Sequence, residues 1–334
     1  MNVENRYHNR LGTSLSYLNN SGVYFRSDCT ALLQNIKSNT INLCFVDPPF
    51  NLGKTYEAMD FGDNLKEEEY FLWCQKWLDD IIRVLVPGGA LCVYVFPKLA
   101  ITLGSWLNNK KDLEYRSLIA VKMKNGFPLK NRLHPALYTV LYYTKKGDKP
   151  RFNVVRAKAP TCRHCGMLLP SYGGYRKKYQ KYEDAEGIPW IQISDFWEDT
   201  RAAIHDKSRS LHINELPIHI PERIILLTTN ERDIVLDVFG GGGSTFHAAQ
   251  GKNRLWIGCD IADEPALSRF ATIWGRNEAQ QINPRLYDCF EDNFINKQFK
   301  LKLRNQINPV ELAPLLSNGY NLIQNASKHK SKVL

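Results

Sequence analysis

Two short stretches of this chain carry residue types that could do chemistry at fixed spacing. The first is Asp47-Pro48-Pro49-Phe50, which follows the apolar run INLCFV at 41–46. Two successive prolines lack backbone donors and cannot extend a sheet, so they build a stiff loop where a strand ends. That loop fixes one carboxylate, one prolyl carbonyl and one aromatic face. What such a rigid acceptor and ring are built to hold is the question the rest of the sequence must answer. The second stretch is DIVLDVFGGGGSTFHAA at 233–249, which reads as strand, glycine turn and helix start. Glycines let backbone approach a ligand, and a helix N-terminus presents free N–H groups. Asp260 ends the next strand, 23 residues after Asp237, a spacing that suits hydrogen bonds to ribose hydroxyls. These features predict a nucleoside-containing cofactor. The dinucleotide fingerprint does not fit: counted from Gly240 or Gly241, its last glycine falls on Thr245 or Phe246.

Elements that alternate between strand and helix must position these stretches. Strands are predicted at 22–27, 41–46, 90–96, 116–122, 138–144, 233–239 and 255–261. Helices are predicted at 31–38, 66–86, 98–109, 217–229, 244–250, 264–280 and 309–324. In the 66–86 segment Tyr70, Trp73, Trp77, Ile81, Val84 and Leu85 recur at helical spacing, and Pro87-Gly88-Gly89 is the expected stop. The alternation implies an α/β fold, a mostly parallel twisted sheet with helices on both faces. No internal repeat is visible.

Periodicity decays between 145 and 212. The expected organisation is a catalytic half at 1–144, a basic inserted recognition region at 145–212, the cofactor-binding half of the same domain at 213–323 and a disordered tail at 324–334. Net charge is +10 over 334 residues. Lys122 to Lys181 holds fifteen Lys/Arg and one acid, Asp148, so this segment carries +14 and the remainder −4. Phe127, Tyr138, Tyr142, Tyr143, Phe152, Tyr172, Tyr175 and Tyr179 are interleaved with these charges. A local basic field with stacking groups is the footprint of a nucleic-acid binder. Lys130, Arg132, Tyr175, Arg176, Lys177 and Lys178 are the residues expected to meet DNA. No apolar run approaches the ~20 residues of a membrane span. The polar N-terminus shows no signal-peptide core, and scattered cysteines within strand-like runs suit a reduced, cytoplasmic setting.

Asp47-Pro48-Pro49-Phe50 followed by Phe239-x-Gly241-x-Gly243 resembles the DNA amino-methyltransferases that use S-adenosylmethionine. With the catalytic motif first, the cofactor motif late and a basic variable segment between, the order resembles their beta group. RSDCTALLQ, RVLVPGGALCVYV, RIILLTTNERDIVLDVFGGGGST and LWIGCDI extend the likeness over roughly residues 22–275. The resemblance implies a Rossmann-like methyltransferase fold. It places Phe239, Gly241 and Gly243 beside the methionine part of the cofactor, Asp260 on the ribose and Asp28 near the adenine. Asp237, at the head of the glycine turn, is grouped with them. Asp47, Pro48, Pro49 and Phe50 form the target-base pocket. The family often carries a His-Pro-Thr-Gln-Lys-Pro-like segment where this chain has His212-Ile-Asn-Glu-Leu-Pro217, so the holder of the cofactor carboxylate is unassigned.

The implied reaction is methyl transfer to the N6 amine of an adenine flipped from duplex DNA, Asp being the first-position residue more typical of adenine enzymes. The alternatives are cytosine N4, an RNA or protein-amide substrate, and a DNA-binding protein with a degraded cofactor site. Cytosine C5 chemistry is disfavoured, because no cysteine here follows a proline as that group's nucleophile commonly does. A homodimer and a cognate restriction endonuclease are further partners left open. Cys162-Arg-His-Cys165 resembles half a zinc knuckle two ligands short. With His205 and His212 about forty residues on, it reads as a tight turn with free thiols, and no metal is assigned.

Overall fold

A computed structural model of the chain describes residues 12–51, 65–122, 130–131, 133, 136–162, 164–169, 188–198, 216–275 and 282–298. The strands are β1 (Ser14–Leu18), β2 (Gly22–Arg26), β3 (Ile41–Val46), β4 (Leu85–Val95), β5 (Leu113–Lys122), β6 (Leu137–Lys145), β7 (Arg156–Lys158), β8 (Trp190–Gln192), β9 (Phe196–Trp197), β10 (Ile234–Asp237) and β11 (Leu255–Asp260). The helices are α1 (Cys29–Leu33), α2 (Glu67–Val84), α3 (Pro97–Asn108), α4 (His219–Thr228), α5 (Ser244–Gly251), α6 (Glu264–Trp274) and α7 (Pro284–Tyr287).

Nine strands form one sheet in the order β1-β2-β11-β10-β3-β4-β6-β5-β9, and β7 pairs with β8 in a separate ribbon. From β2 through β11, β10 and β3 to β4 every neighbour is parallel. Strand β6 runs antiparallel between β4 and β5. The central strands are continuous apolar runs because both faces are covered. On β3, Cys44 and Val46 enter the core beneath α1, α2 and α3, while Leu43 and Phe45 enter the core beneath α4, α5 and α6. This two-residue alternation fixes which face each residue past the strand end inherits.

Helix α2 forms where the spacing predicted it: Tyr70, Trp73, Trp77, Leu78 and Ile81 are buried, and three glutamates sit in its first turn, where they oppose the positive end of the helix dipole. It ends at Val84, and β4 starts at once at Leu85, ahead of the predicted 90–96. Pro87-Gly88-Gly89 therefore does not separate helix from strand. It bulges within β4, whose pairing jumps from Ile41↔Leu85 to Leu43↔Ala90. Gly88 adopts φ +79 and Lys149 carbonyl oxygen would lie 2.9 Å from an added Cβ, which only glycine accommodates. Strand β1 was not predicted. The 309–324 helix and the 324–334 tail lie outside the described residues.

Candidate active site

Chain connections from β3 and from β10 leave in opposite directions across the sheet. From β3 the chain passes through α2 to β4 on one side; from β10 it passes through α5 to β11 on the other. The crevice outside the carboxyl ends of two such neighbouring strands is where open α/β sheets bind ligands. Asp47-Pro48-Pro49-Phe50 leaves β3 there, and Phe239 to Gly243 leaves β10 beside it. The sequence separates these motifs by about 190 residues, and the sheet order makes them adjacent.

Asp47 continues the Leu43/Phe45 face of its strand. Tyr94 on β4 and Tyr138 on β6 lie on the same face, in the core cluster with Phe45. Burial raises both phenols first, and the nearby Asp47 charge raises them further, so both stay protonated donors at neutral pH. Phe50 is half-buried, with its ring centroid 5.4 Å from Phe96 in an edge-on contact and 5.9 Å from Tyr138. Tyr94 and Tyr138 pack at 4.9 Å. Tyr94 and Tyr138 lie near the carboxylate, and Phe50 packs between Tyr138 and Phe96, an aromatic surface suited to a planar base.

Among the described residues, the contacts that hold the loop go to Pro49 and Asn51. Tyr70 donates its hydroxyl to the Pro49 carbonyl at 2.5 Å. Asn51 sits at φ +55, in the left-handed region that asparagine tolerates, and exchanges two hydrogen bonds with Leu65 at 2.8 and 2.7 Å. The same helix secures the other motif: Phe239 packs edge-on against Trp73 at 5.7 Å and Trp77 at 5.2 Å.

In the glycine turn, Asp237 is fully enclosed. Its carboxylate accepts from the Phe239 amide at 3.0 Å and the Thr245 hydroxyl at 2.7 Å. Burial pushes its carboxyl up to about 7, against the pull of those two donors. Asp237 is therefore an anchor of the turn. Asp260 accepts from the Gly241 amide at 2.9 Å and the Ala262 amide at 3.0 Å. Burial raises its carboxyl too, while these amides pull it down. A carboxylate has about four acceptor sites, so Asp260 keeps capacity for hydroxyl donors. Gly241 is at φ +45, where a Cβ would meet only the Phe239 carbonyl oxygen, at 3.9 Å, and Gly243, at φ +79, caps α5 with no side-chain cap over the helix end. Asp28 accepts from Thr30 and Ala31 amides at 2.9 and 3.3 Å as the cap of α1, and the Ser27 amide donates to the Asp260 carbonyl at 3.0 Å. Burial chiefly, then the charges of Asp260, Asp28 and Asp237, raise the Cys259 thiol, which marks these three acids as one negative cluster. Those of its acids that are ionised favour a cationic ligand; Asp237, held up to about 7, adds only part of a charge at neutral pH. A sulfonium nucleoside with ribose hydroxyls fits an open glycine cradle, an uncapped helix end and a carboxylate with spare acceptor sites.

The structure brings Asp47, Pro48, Pro49, Phe50, Asp28, Asp237, Phe239, Gly241, Gly243 and Asp260 to one edge of the sheet. Among the expected DNA contacts, Lys130 is exposed, while Arg132, Tyr175, Arg176, Lys177 and Lys178 lie outside the described residues. Several residues of the basic segment have internal work. Lys145 donates to the Arg83 and Leu85 carbonyls at 3.1 and 2.8 Å, closing the end of α2. Arg151 pairs with Asp233 at 2.5 Å. Tyr142 and Tyr143 are core residues rather than stacking platforms. Sequence reasoning missed Tyr70, Tyr94 and Phe96, and counted Tyr138 only among the basic segment's aromatics. Its position beside Asp47 depends on the β4–β6 register, which places Val95 opposite Thr139.

A family model described as "DNA methylase", for N6/N4 methyltransferases, matches residues 41–267. The chain is 37% identical over 285 residues to the type II methyltransferase M.BamHI of Bacillus amyloliquefaciens, a match covering 85% of this chain and 64% of that one. The chain thus spans somewhat less than two thirds of that relative's length. It is 30% identical over 279 residues to the type II methyltransferase M.HpaI of Haemophilus parainfluenzae, covering 82% of each. Among solved structures, the cytosine-N4-specific PvuII DNA methyltransferase superposes with a TM-score of 0.57 at 15% identity, over 93% of this chain and 97% of that one. This likeness bears out the predicted Rossmann-like methyltransferase fold.

Proposed function

The chain belongs to the N6/N4 DNA methylase family, and on that footing we propose that it methylates an exocyclic amine of a base flipped out of duplex DNA, with S-adenosylmethionine as donor. The observation that carries this reading is the meeting of the two motif loops at the carboxyl ends of neighbouring strands β3 and β10. The donor, when bound, supplies an electrophilic methyl on a sulfonium. The glycine cradle and Asp260 hold its nucleoside, with Asp237 anchoring the turn from beneath, and the nearby Asp28 and Asp260 favour its positive charge.

An exocyclic base amine is a poor nucleophile because its lone pair is delocalised into the ring. Asp47 and the Pro48 carbonyl each accept one amine hydrogen, which favours a more tetrahedral nitrogen with an available lone pair. Phe50 and Tyr138 confine the flipped ring, so the amine is presented in one orientation. As the nitrogen–carbon bond forms and the carbon–sulfur bond breaks, nitrogen becomes cationic. The Asp47 charge stabilises it until its proton leaves. No covalent enzyme intermediate is required.

Asp47 as the motif's first residue supports adenine N6 as the target. Cytosine N4 is the second reading, because two acceptors read only an NH2 group, which both bases present on a ring carbon beside a ring nitrogen. Transfer from labelled S-adenosylmethionine to mixed-sequence duplex, followed by nucleoside mass spectrometry, separates them. N6-methyladenine supports the first reading and N4-methylcytosine the second. Absence of both from a folded protein that binds the donor overturns the proposal and turns the search to RNA and protein amides.

A further inference from the structure

Tyr24 stands in the middle of β2, opposite Tyr17 on β1 and Gly258 on β11. It is fully buried, with its ring edge-on against Phe246 of α5 at 5.3 Å and Phe270 of α6 at 5.5 Å. Its hydroxyl ends against the underside of the glycine turn: a Cβ added at Gly240 would lie 2.9 Å from the phenol oxygen. Among the described residues this hydroxyl has no hydrogen-bond partner. The turn that covers it is otherwise well tied. The Gly240 amide donates to the Cys259 carbonyl at 2.9 Å, the Gly243 amide to the Gly240 carbonyl at 2.7 Å and the Gly241 amide to the Asp260 carboxylate at 2.9 Å.

A buried hydroxyl without a partner has lost its hydration with no return, and phenylalanine would fill the same space without that cost. An unsatisfied buried group of this kind calls for a role outside the resting fold. Burial first, and then the charge of Asp260, keep the phenol protonated, so it can act only as a hydrogen-bond donor when a partner is offered. The turn holds such a partner. The Gly240 carbonyl receives the Gly243 amide, and a carbonyl oxygen has a second lone pair. The peptide that carries this carbonyl lies between Gly240 and Gly241, and a peptide flanked by two glycines rotates at little steric cost. We propose that Tyr24 is a positioning residue of the cofactor site, whose hydroxyl donates to the Gly240 carbonyl when the glycine cradle is occupied and so fixes the turn in its cofactor-bearing shape. The role presupposes that the cradle takes S-adenosylmethionine, as proposed above. A ligand stabilises only the arrangement it binds better, so a bond made in the occupied state alone appears as cofactor affinity and not as stability of the empty protein.

The test is Tyr24→Phe in the full-length chain, read by calorimetric titration with S-adenosylmethionine and by thermal unfolding without it. The expected result is two effects of opposite sign. The Kd for S-adenosylmethionine rises about fivefold, the factor one net hydrogen bond is worth, while the Tm of the empty protein stays level or rises. In hydrogen exchange followed by mass spectrometry, S-adenosylmethionine protects the peptide covering Phe239 to Phe246 in the parent and protects it less in the variant. At saturating S-adenosylmethionine the variant keeps the parent's kcat, with the loss confined to KM for the cofactor. A Kd equal to the parent's overturns the proposal. So does a weaker Kd that comes with a lowered Tm, because the hydroxyl then serves the resting fold. A parent that binds no S-adenosylmethionine overturns the reading of the cradle and this role with it, an outcome distinct from equal binding by parent and variant.

Discussion

In the proposed reaction Asp47 is the residue on which the chemistry turns, because it offers a charge beside the reacting nitrogen and lies partly buried near Tyr94 and Tyr138. Asp47→Ala is expected to lower kcat by about 10²–10³, the loss seen when one preorganised electrostatic partner of a transition state is removed. The donor's Kd stays within about twofold, since Asp28, Asp237 and Asp260 are untouched; isothermal calorimetry beside single-turnover kinetics reads the two separately. An equal loss of donor binding would place Asp47 in the wrong half of the site. Asp237 makes a different prediction. Its folded pKa of about 7 lies well above the 3.8 of an exposed aspartate. The folded state therefore holds this proton after the unfolded chain has lost it. Stability from this group is present below about pH 4 and is lost as pH rises through about 7. Burial of Asp260 acts in the same direction. In Asp237→Asn an oxygen still accepts from the Phe239 amide, and the proton-linked loss disappears. Urea unfolding between pH 5 and 8 should show the parent losing roughly 3 kcal/mol more stability than the variant, about two pH units' worth. Parallel curves would show that Asp237 is ionised throughout.

At the scale of elements, α2 is the part that joins the two motifs. Tyr70, Trp73 and Trp77 recur at three- and four-residue steps along one stripe; the first holds the Asp47 loop and the other two hold Phe239. Tyr70→Phe removes one hydroxyl with little change in packing. It is expected to lower kcat by about fivefold to tenfold, the worth of roughly 1 kcal/mol of hydrogen bonding, with Tm within a few degrees of the parent. Trp77→Ala, by contrast, empties a fully buried site and should cost about 3–5 kcal/mol of stability in denaturant unfolding. If Tyr70→Phe leaves kcat unchanged, the loop's rigidity comes from its prolines alone. The stripe on α2 was readable in the sequence because helical spacing of large apolar residues is a strong local signal. So were β3, β10 and β11, as unbroken apolar runs ending in acids. The start of β4 was not, because Pro87-Gly88-Gly89 has the chemistry of a stop, and only pairing with β3 absorbs it as a bulge. Strand β1 was missed because SLSYL carries three apolar residues and draws its order from antiparallel pairing with β2. The catalytic loop was legible as a motif. The tyrosines around Asp47 were not, because they arrive by strand register from positions 47 and 91 residues away.

For the whole molecule, charge is the property that reaches furthest, and the structure divides it unevenly. Lys145 and Arg151 belong to the +14 segment yet serve the fold, one closing α2 and the other pairing with Asp233. Counterion release makes duplex affinity fall with salt by about 0.9 in log K per log unit of salt for each phosphate neutralised. Charges engaged inside the protein contribute nothing to that slope. The run Arg176, Lys177 and Lys178, flanked by Tyr175 and Tyr179, is the densest remaining cationic stretch of the sequence. Replacing all three by alanine should flatten the salt dependence of duplex binding by up to about 2.7 log units per log unit, three phosphate contacts' worth. Weakening should be similar across unrelated duplexes, because phosphate contacts carry no base readout, and donor binding should not move. Lys145→Ala should do the reverse, lowering stability and leaving the slope intact. Fluorescence anisotropy of a labelled duplex from 50 to 300 mM salt, approximately the span over which such slopes are resolved, reads both variants. If the triple variant keeps the parent's slope, the DNA-facing charge lies elsewhere on the molecule. The first place to look would then be around Lys130, an exposed lysine of the segment between β5 and β6.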